Sequence, residues 1–198
     1  MGMFFSVFIF FLSTQFAASQ DKWNIDPIHS YVGFEIGYMG IIDVHGKFTE
    51  VEALMKTKEP DFSDFQVNAK IAVASIETSS EKRDKHLMSN DFFDVKNHPY
   101  ITFHSTSVKI TELDRTEQMV LFGELTIKGI TRKVELLGRI NPQAVNDPWG
   151  HLKLGCTFST KINRRDYGLA YGQILETGIP TVADEVKIVL DIVMMKDR

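Results

Sequence analysis

Residues 119–140 read MVLFGELTIKGITRKVELLGRI. Met119, Leu121, Gly123, Leu125 and Ile127 fall on one side of an alternation, with Val120, Phe122, Glu124, Thr126 and Lys128 on the other. Successive side chains of a strand point to opposite faces, so a period of two predicts a strand with one apolar face. Lys128-Gly129 reads as a tight turn, after which Val134, Leu136, Gly138 and Ile140 face away from Lys133, Glu135 and Arg139. Two such strands across a tight turn make an antiparallel hairpin.

The same period runs outward from this hairpin. Val32, Phe34, Ile36 and Tyr38 alternate with Tyr31, Gly33, Glu35 and Gly37, and Val67, Ala69, Ile71 and Val73 share a face. On the C-terminal side, Leu152, Leu154, Cys156 and Phe158 oppose Lys153, Gly155, Thr157 and Ser159. Val186, Ile188, Leu190, Ile192 and Met194 oppose Lys187, Val189, Asp191 and Val193, and shorter strands fit 44–48, 51–55 and 101–109. Stretches such as 58–61 (KEPD) and 146–150 (NDPWG) carry turn chemistry. The spacing leaves no room for the helical crossovers that parallel strands need, so the order is an antiparallel meander. One apolar face per strand means two packed sheets or one sheet closed on itself. Closure removes exposed edges, and about eight strands leave an interior that is either filled by side chains or able to hold one small ligand. The expected fold is all-β, a closed eight-stranded antiparallel barrel, with a β-sandwich as the alternative.

One segment breaks the period. Thr78 and Glu81 match a capping box with Thr78 as N-cap, and 82–88 (KRDKHLM) reads as a short helix ending near Asn90. Asp91-Phe92-Phe93-Asp94 then reads as a turn whose two aromatics plug one end of the barrel.

The totals narrow the chemistry. A chain of 198 residues suits one domain. Net charge is −4 with Lys and Arg scattered, so the basic face of a nucleic-acid binder is missing. Cys156 is the only cysteine and falls on an inward face, which predicts an inert buried thiol and no intrachain disulfide. A metal site would have to gather His29, His45, His86, His98, His104 and His151 from different elements, without HxH or HExxH spacing. There is no GxSxG elbow, and Asp91 and Asp94 flank aromatics as caps rather than forming a catalytic pair. The reading is therefore no catalytic set, no metal and no cofactor.

Residues 4–12 (FFSVFIFFL) form an apolar run, followed by Ser13-Thr14-Gln15 and the small-residue site Phe16-Ala17-Ala18-Ser19. This is the pattern of a secretion signal over 1–19 with cleavage before Gln20, although no Lys or Arg precedes the run. The run falls short of the ~20 apolar residues a spanning helix needs. The mature domain, 20–198, is expected in the periplasm or secreted, with no stable membrane insertion.

Three ordered motifs carry a resemblance. They are Arg83-Asp84-Lys85-His86-Leu87 with Asp91-Phe92-Phe93-Asp94 and His98-Pro99-Tyr100-Ile101-Thr102-Phe103; the run from Gly123 through Lys128-Gly129 to Val134; and Ile162-Asn163-Arg164-Arg165-Asp166-Tyr167-Gly168. With the opening Trp23-Asn24-Ile25-Asp26, they resemble the YceI-like family over essentially the whole mature chain. The resemblance implies a lipocalin-like barrel, often periplasmic, that holds a polyisoprenoid or related amphiphile in an apolar pore. The chain departs from the family at Gly37-Tyr38, where a basic residue followed by His is common, and this bears on the pore mouth and the ligand.

On that reading the pore is lined by Val32, Phe34, Ile36, Tyr38, Ile71, Val73, Phe92, Phe103, Leu121, Leu125, Leu136, Leu154, Phe158 and Ile188. Arg83, His86 and Arg165 are the candidates for a ligand's head group, since cations at a pore mouth pair with a diphosphate. The alternative for each arginine is a local structural bond, as when an Arg–Asp pair pins a turn. The stretch 169–182 is long and apolar enough to serve as a lid or as an irregular edge covering. The expected partner is a long-chain isoprenoid, quinone-like or fatty-amide molecule. The alternative readings are an enzyme acting on a small hydrophobic substrate through Arg83, His86 and Tyr38 at the mouth, or a stress-related interaction module whose barrel is packed. Strand edges near the termini leave room for a homodimer without requiring one.

Overall fold

The computed structural model describes residues 20–113, 116–141 and 143–197, so the secretion signal expected over 1–19 lies outside the described residues. In chain order the elements are β1 (Asp21–Ile25), β2 (Tyr31–Tyr38), β3 (Ile42–Phe48), β4 (Val51–Thr57), β5 (Gln66–Ala72) and β6 (Ile76–Glu77). Helix α1 (Glu81–Met88) follows, then β7 (Tyr100–Leu113), β8 (Thr116–Ile127), β9 (Ile130–Ile140), β10 (Val145–Asn146), β11 (Leu152–Asn163) and β12 (Val182–Lys196).

The hairpin that opened the sequence reading is β8–β9, in register from Ile127↔Ile130 to Met119↔Gly138. Lys128 and Gly129 both take positive φ, 50° and 74°, as the commonest two-residue hairpin turn demands. At the other end of β9, a Cβ on Gly138 would lie 2.0 Å from the Thr157 carbonyl oxygen, so only glycine lets β11 come this close.

Eight antiparallel staves close into a ring: β1 with β2, β3 with β4, β5 with β6, then β7, β8, β9, β11 and β12. Closure falls on β12, which pairs with β11 along one edge and with β2 and then β1 along the other. The strand edges near the termini, which the sequence left free for a dimer, are consumed here; a dimer would need another surface. The sandwich alternative is excluded by the same pairing.

Side-chain hydrogen bonds bridge the breaks within staves. Between β1 and β2 the backbone turns out at Asp26, whose Oδ1 accepts from the Ile28 N–H (3.2 Å) in an Asx-turn. The ladder to β12 survives this break, because Asp26 N–H donates to Val193 O (2.8 Å) and Ser30 Oγ accepts from Val193 N–H (3.0 Å). Between β3 and β4, Glu50 N–H donates to Ser75 Oγ (3.0 Å), tying this bend to the 3-10 turn Val73–Ser75 that separates β5 from β6.

Helix α1 starts differently from expectation. Its N-cap is Ser80, not Thr78, and no side-chain bond caps it. Thr78 lies two residues too far ahead; its hydroxyl donates to Asp84 Oδ1 and accepts from Arg83 Nε (2.7 Å), anchoring the helix by its middle.

One end of the barrel is solid. Trp23, Met55, Phe62, Phe65, Met119 and Leu154 are buried there in one cluster, with the Trp23 and Phe62 rings edge-on at 5.8 Å. Outside this base sits a partly buried ion pair. Asp26 Oδ2 meets Lys153 Nζ at 2.8 Å and His29 Nδ1 at 2.9 Å, and Lys153 also reaches Asp147 Oδ2 at 3.3 Å. Burial alone would raise the Asp26 carboxyl, but hydrogen bonds and charges from Lys153 and His29 outweigh it and hold it at about 2. An aspartate in the unfolded chain titrates near about 3.9. The folded state therefore favours the ionised form; its contribution is complete above about pH 4 and disappears as pH falls through about 2. The urea midpoint is expected to drop across that window, and to drop less steeply in Asp26→Asn. Parallel declines in the two proteins would remove Asp26 from this account.

Candidate ligand-binding site

Above the solid base the barrel is hollow. A cavity of about 370 Å³ runs from Met55, Ile140 and Met194 up to Arg83, His86 and Tyr171 at the opposite end. On β12 its wall runs from Val182 to Met194, and the regular part from Val186 to Met194 spans roughly 27 Å at ~3.4 Å per residue. The hollow has a local cause. Ala53 and Ala69 face each other across β4 and β5, so two neighbouring wall positions carry only a methyl group. Cys156 also stands on the wall; burial pushes its thiol up to about 12, which keeps it neutral.

Twelve of the expected lining residues are on this wall: Val32, Phe34, Ile36, Tyr38, Ile71, Phe92, Phe103, Leu121, Leu125, Leu136, Phe158 and Ile188. Val73 and Leu154 are not. Val73 begins the 3-10 turn, so the period of two ends at Ala72 and its side chain buries away from the hollow. Leu154 does point inward, opposite Met194, but at a level where the base cluster fills the interior. Phe48, Phe65 and Phe93 are wall residues that the alternation did not single out.

The mouth is stoppered by aromatics. The His86 ring lies 5.2 Å from Phe92 and 4.8 Å from Tyr171, and Phe92 and Tyr171 are 5.0 Å apart. His86 Nε2 is paired with Asp91 Oδ2 at 3.0 Å, which fixes the ring. Arg83 lines the mouth too, but its guanidinium donates from Nε to the Thr78 hydroxyl and from Nη2 to the Thr78 carbonyl, so two of its five donors are already committed. Local structural bonding, the alternative reading for this arginine, is therefore present.

Arg165 is off the cavity, exposed, and donates from Nε to Asp184 Oδ1 at 2.7 Å. Its neighbour Arg164 is the one that reaches the cavity. Residues 164–167 form a 3-10 turn capped by Asn163, whose Oδ1 accepts from Arg165 N–H (2.9 Å); the turn sends Arg164 inward and Arg165 outward. Arg164 donates to the carbonyls of Leu169, Tyr171 (2.7 Å), Val182 (3.4 Å) and Ala183 (2.8 Å), and meets Asp184 at 3.1 Å. Both ends of the 169–182 stretch are thus clasped on one guanidinium. Between them Thr181 N–H donates to Gln173 O (2.8 Å) and Leu175 N–H to Ile179 O (2.9 Å), folding 173–181 into a small flap beside the stopper.

Residues 23–194 match the YceI-like domain. The chain belongs to the YceI-like family. Among YceI-like relatives, Protein YceI of Escherichia coli O157:H7 is 30% identical over 194 residues, covering 97% of this chain and 94% of that one. BcnA of Burkholderia cenocepacia shares the YceI-like barrel with a TM-score of 0.71 at 23% identity, over 85% of this chain and 98% of that chain. A polyisoprenoid binding domain from Saccharophagus degradans shares it with a TM-score of 0.62 at 10% identity, over 88% and 98%.

Proposed function

We propose that this protein binds one long-chain amphiphile, tail inward, and sequesters or carries it outside the cytoplasm. The observation that carries the reading is the continuous apolar hollow, whose polar wall groups (Tyr38, Thr78, Arg83, His86, Arg164 and Tyr171) cluster at the mouth. A hydrocarbon tail fits the depth of such a space, and a polar head fits only its entrance. Each buried CH₂ contributes ~0.8 kcal/mol, whereas holding two molecules together costs roughly 4–15 kcal/mol. A tail of several prenyl units, or its equivalent in methylenes, is therefore needed for micromolar binding. Discrimination among similar tails is weak, because one methylene separates ligands by only ~1–3 kcal/mol.

The proposed ligand class is isoprenoid, quinone-like or fatty-amide. The polyisoprenoid binding domain of Saccharophagus degradans, with the same fold, supports the first of these. The structural bonds of Arg83 to Thr78 favour a positioning role for this arginine over a part in catalysis. The reading takes 1–19 as an export signal, so that the carrier works in the periplasm or is secreted.

Native mass spectrometry of the protein isolated from its own organism tests this. The expected spectrum shows one hydrophobic adduct per chain, removed by organic extraction and regained on incubation with a long-chain isoprenoid. A protein that neither retains nor takes up any long-chain molecule overturns the proposal.

A further inference from the structure

Two chain tips at the mouth are apolar, exposed and joined. Ile41 and Ile42, at the turn between β2 and β3, are 74% and 60% exposed, and Ile174 on the flap is 76% exposed. Single exposed hydrophobics are ordinary on a protein surface, but a contiguous group is not. These are contiguous: Met39 N–H donates to Thr181 O (3.1 Å), Tyr38 pairs with Val182, and Gly40 lies against Ile179. They also form the lip of the cavity, since Tyr38, Tyr171 and Val182 line it.

Charge decides what such a lip fits. Residues 36–42 contain no charged side chain, and Glu176 is the only one from 167 to 183. The charges behind the tips are matched to each other, Lys187 with Glu35 at 2.9 Å, Arg165 with Asp184 at 2.7 Å and Lys161 with Glu185 at 2.8 Å. The charges that flank the tips, Asp43 and Glu176, are both negative and make no ion pair among the described residues, so an anionic lipid surface finds no counter-charge on the tips. A neutral, zwitterionic bilayer does fit: isoleucines enter the acyl boundary, and the amphipathic rings of Tyr38 and Tyr171 suit the headgroup level.

We propose that the mouth docks on a neutral lipid bilayer through the β2–β3 turn and the 173–181 flap, so that ligand passes between membrane and cavity without crossing water. This rests on the carrier reading and adds the site and manner of exchange.

Flotation with phosphatidylcholine vesicles tests it, using the protein, Ile41→Ser/Ile174→Ser and Ile41→Trp. The expected result is salt-insensitive binding, weakened at least about tenfold in the double serine variant, as loss of two buried aliphatic chains implies. A blue shift of Ile41→Trp emission on vesicle addition is expected with it. No flotation, or flotation that needs added phosphatidylglycerol and vanishes in salt, overturns the proposal. So does a dimer in sedimentation that the serine variant abolishes, since a second copy then covers the tips. Uptake of a soluble dansyl fatty acid, measured without vesicles, separates the two claims. Equal uptake by protein and double variant leaves the carrier reading standing whatever the vesicles do. Absent uptake in both sinks the carrier reading and the exchange with it.

Discussion

Ala69→Trp is expected to abolish uptake of long-chain ligands while the barrel stays folded. Ala69 stands in mid-wall between Ala53 and Phe103, on strands that pair without irregularity. An indole there projects into the hollow beside the Ala53 methyl group, and Trp buries ~150–250 Å² when enclosed. In a filled core this overpacking costs about 1–3 kcal/mol. Here the space already exists, so the melting temperature is expected to move by only a few degrees. Ligand affinity is expected to fall at least about a hundredfold, or ~3 kcal/mol, because the tail and the indole compete for one volume. Leu154→Trp is the contrasting control: it enters the packed base and is expected to lower stability by about 1–3 kcal/mol. Titration with a dansyl fatty acid and thermal melts separate the two. If Ala69→Trp binds as tightly as the unmodified protein, ligands do not occupy the barrel interior.

The contrast between Ala69 and Leu154 marks how far the sequence could be read. Alternation identified the strands and their inward faces, because a half-buried strand must present its apolar side chains at every second residue. It therefore found most of the cavity wall, from Val32 to Ile188. Height along the barrel was not legible, since Leu154 at the base and Phe158 on the cavity share a face and a period. Periodicity also failed where the chain leaves the strand, as at Val73. β1 carries Trp23 inward but is too short for a pattern, and its role in closing the ring depends on pairing with the far end of the chain, Trp23 with Lys196. At the mouth, three motif residues pointed to the right region, but choosing between Arg164 and Arg165 needed the 3-10 turn, which reverses their directions. Tyr171 sits in a loop with no period at all, so its place in the stopper had no sequence signal beyond the loop's apolar composition.

Arg164→Met is expected to be the most destabilising single change at the mouth, by about 3–5 kcal/mol, through the loss of several hydrogen bonds from one charged group. The guanidinium is 3% exposed and donates to four carbonyls, from Leu169, Tyr171, Val182 and Ala183, besides meeting Asp184. Methionine fills the stem's space but removes all of these bonds, and the Leu169 carbonyl, which is buried, loses the donor that satisfied it. In a chain of this size the melting temperature falls by roughly 2–4 °C per kcal/mol, so a drop of about 6–20 °C is expected. Arg164→Lys is expected to recover little of it, because an ammonium has three donors at one point and cannot reach both ends of the flap at once. Arg165→Met is expected to cost under about 1 kcal/mol, since its pair with Asp184 is exposed and screened by solvent. Arg164 ties both ends of the flap to one guanidinium, so its loss should also speed ligand escape, seen as a faster dissociation phase when dansyl fatty acid is chased with unlabelled ligand. A lysine variant as stable as the unmodified protein, with unchanged dissociation, would show that charge alone holds the flap and that the forked geometry is incidental.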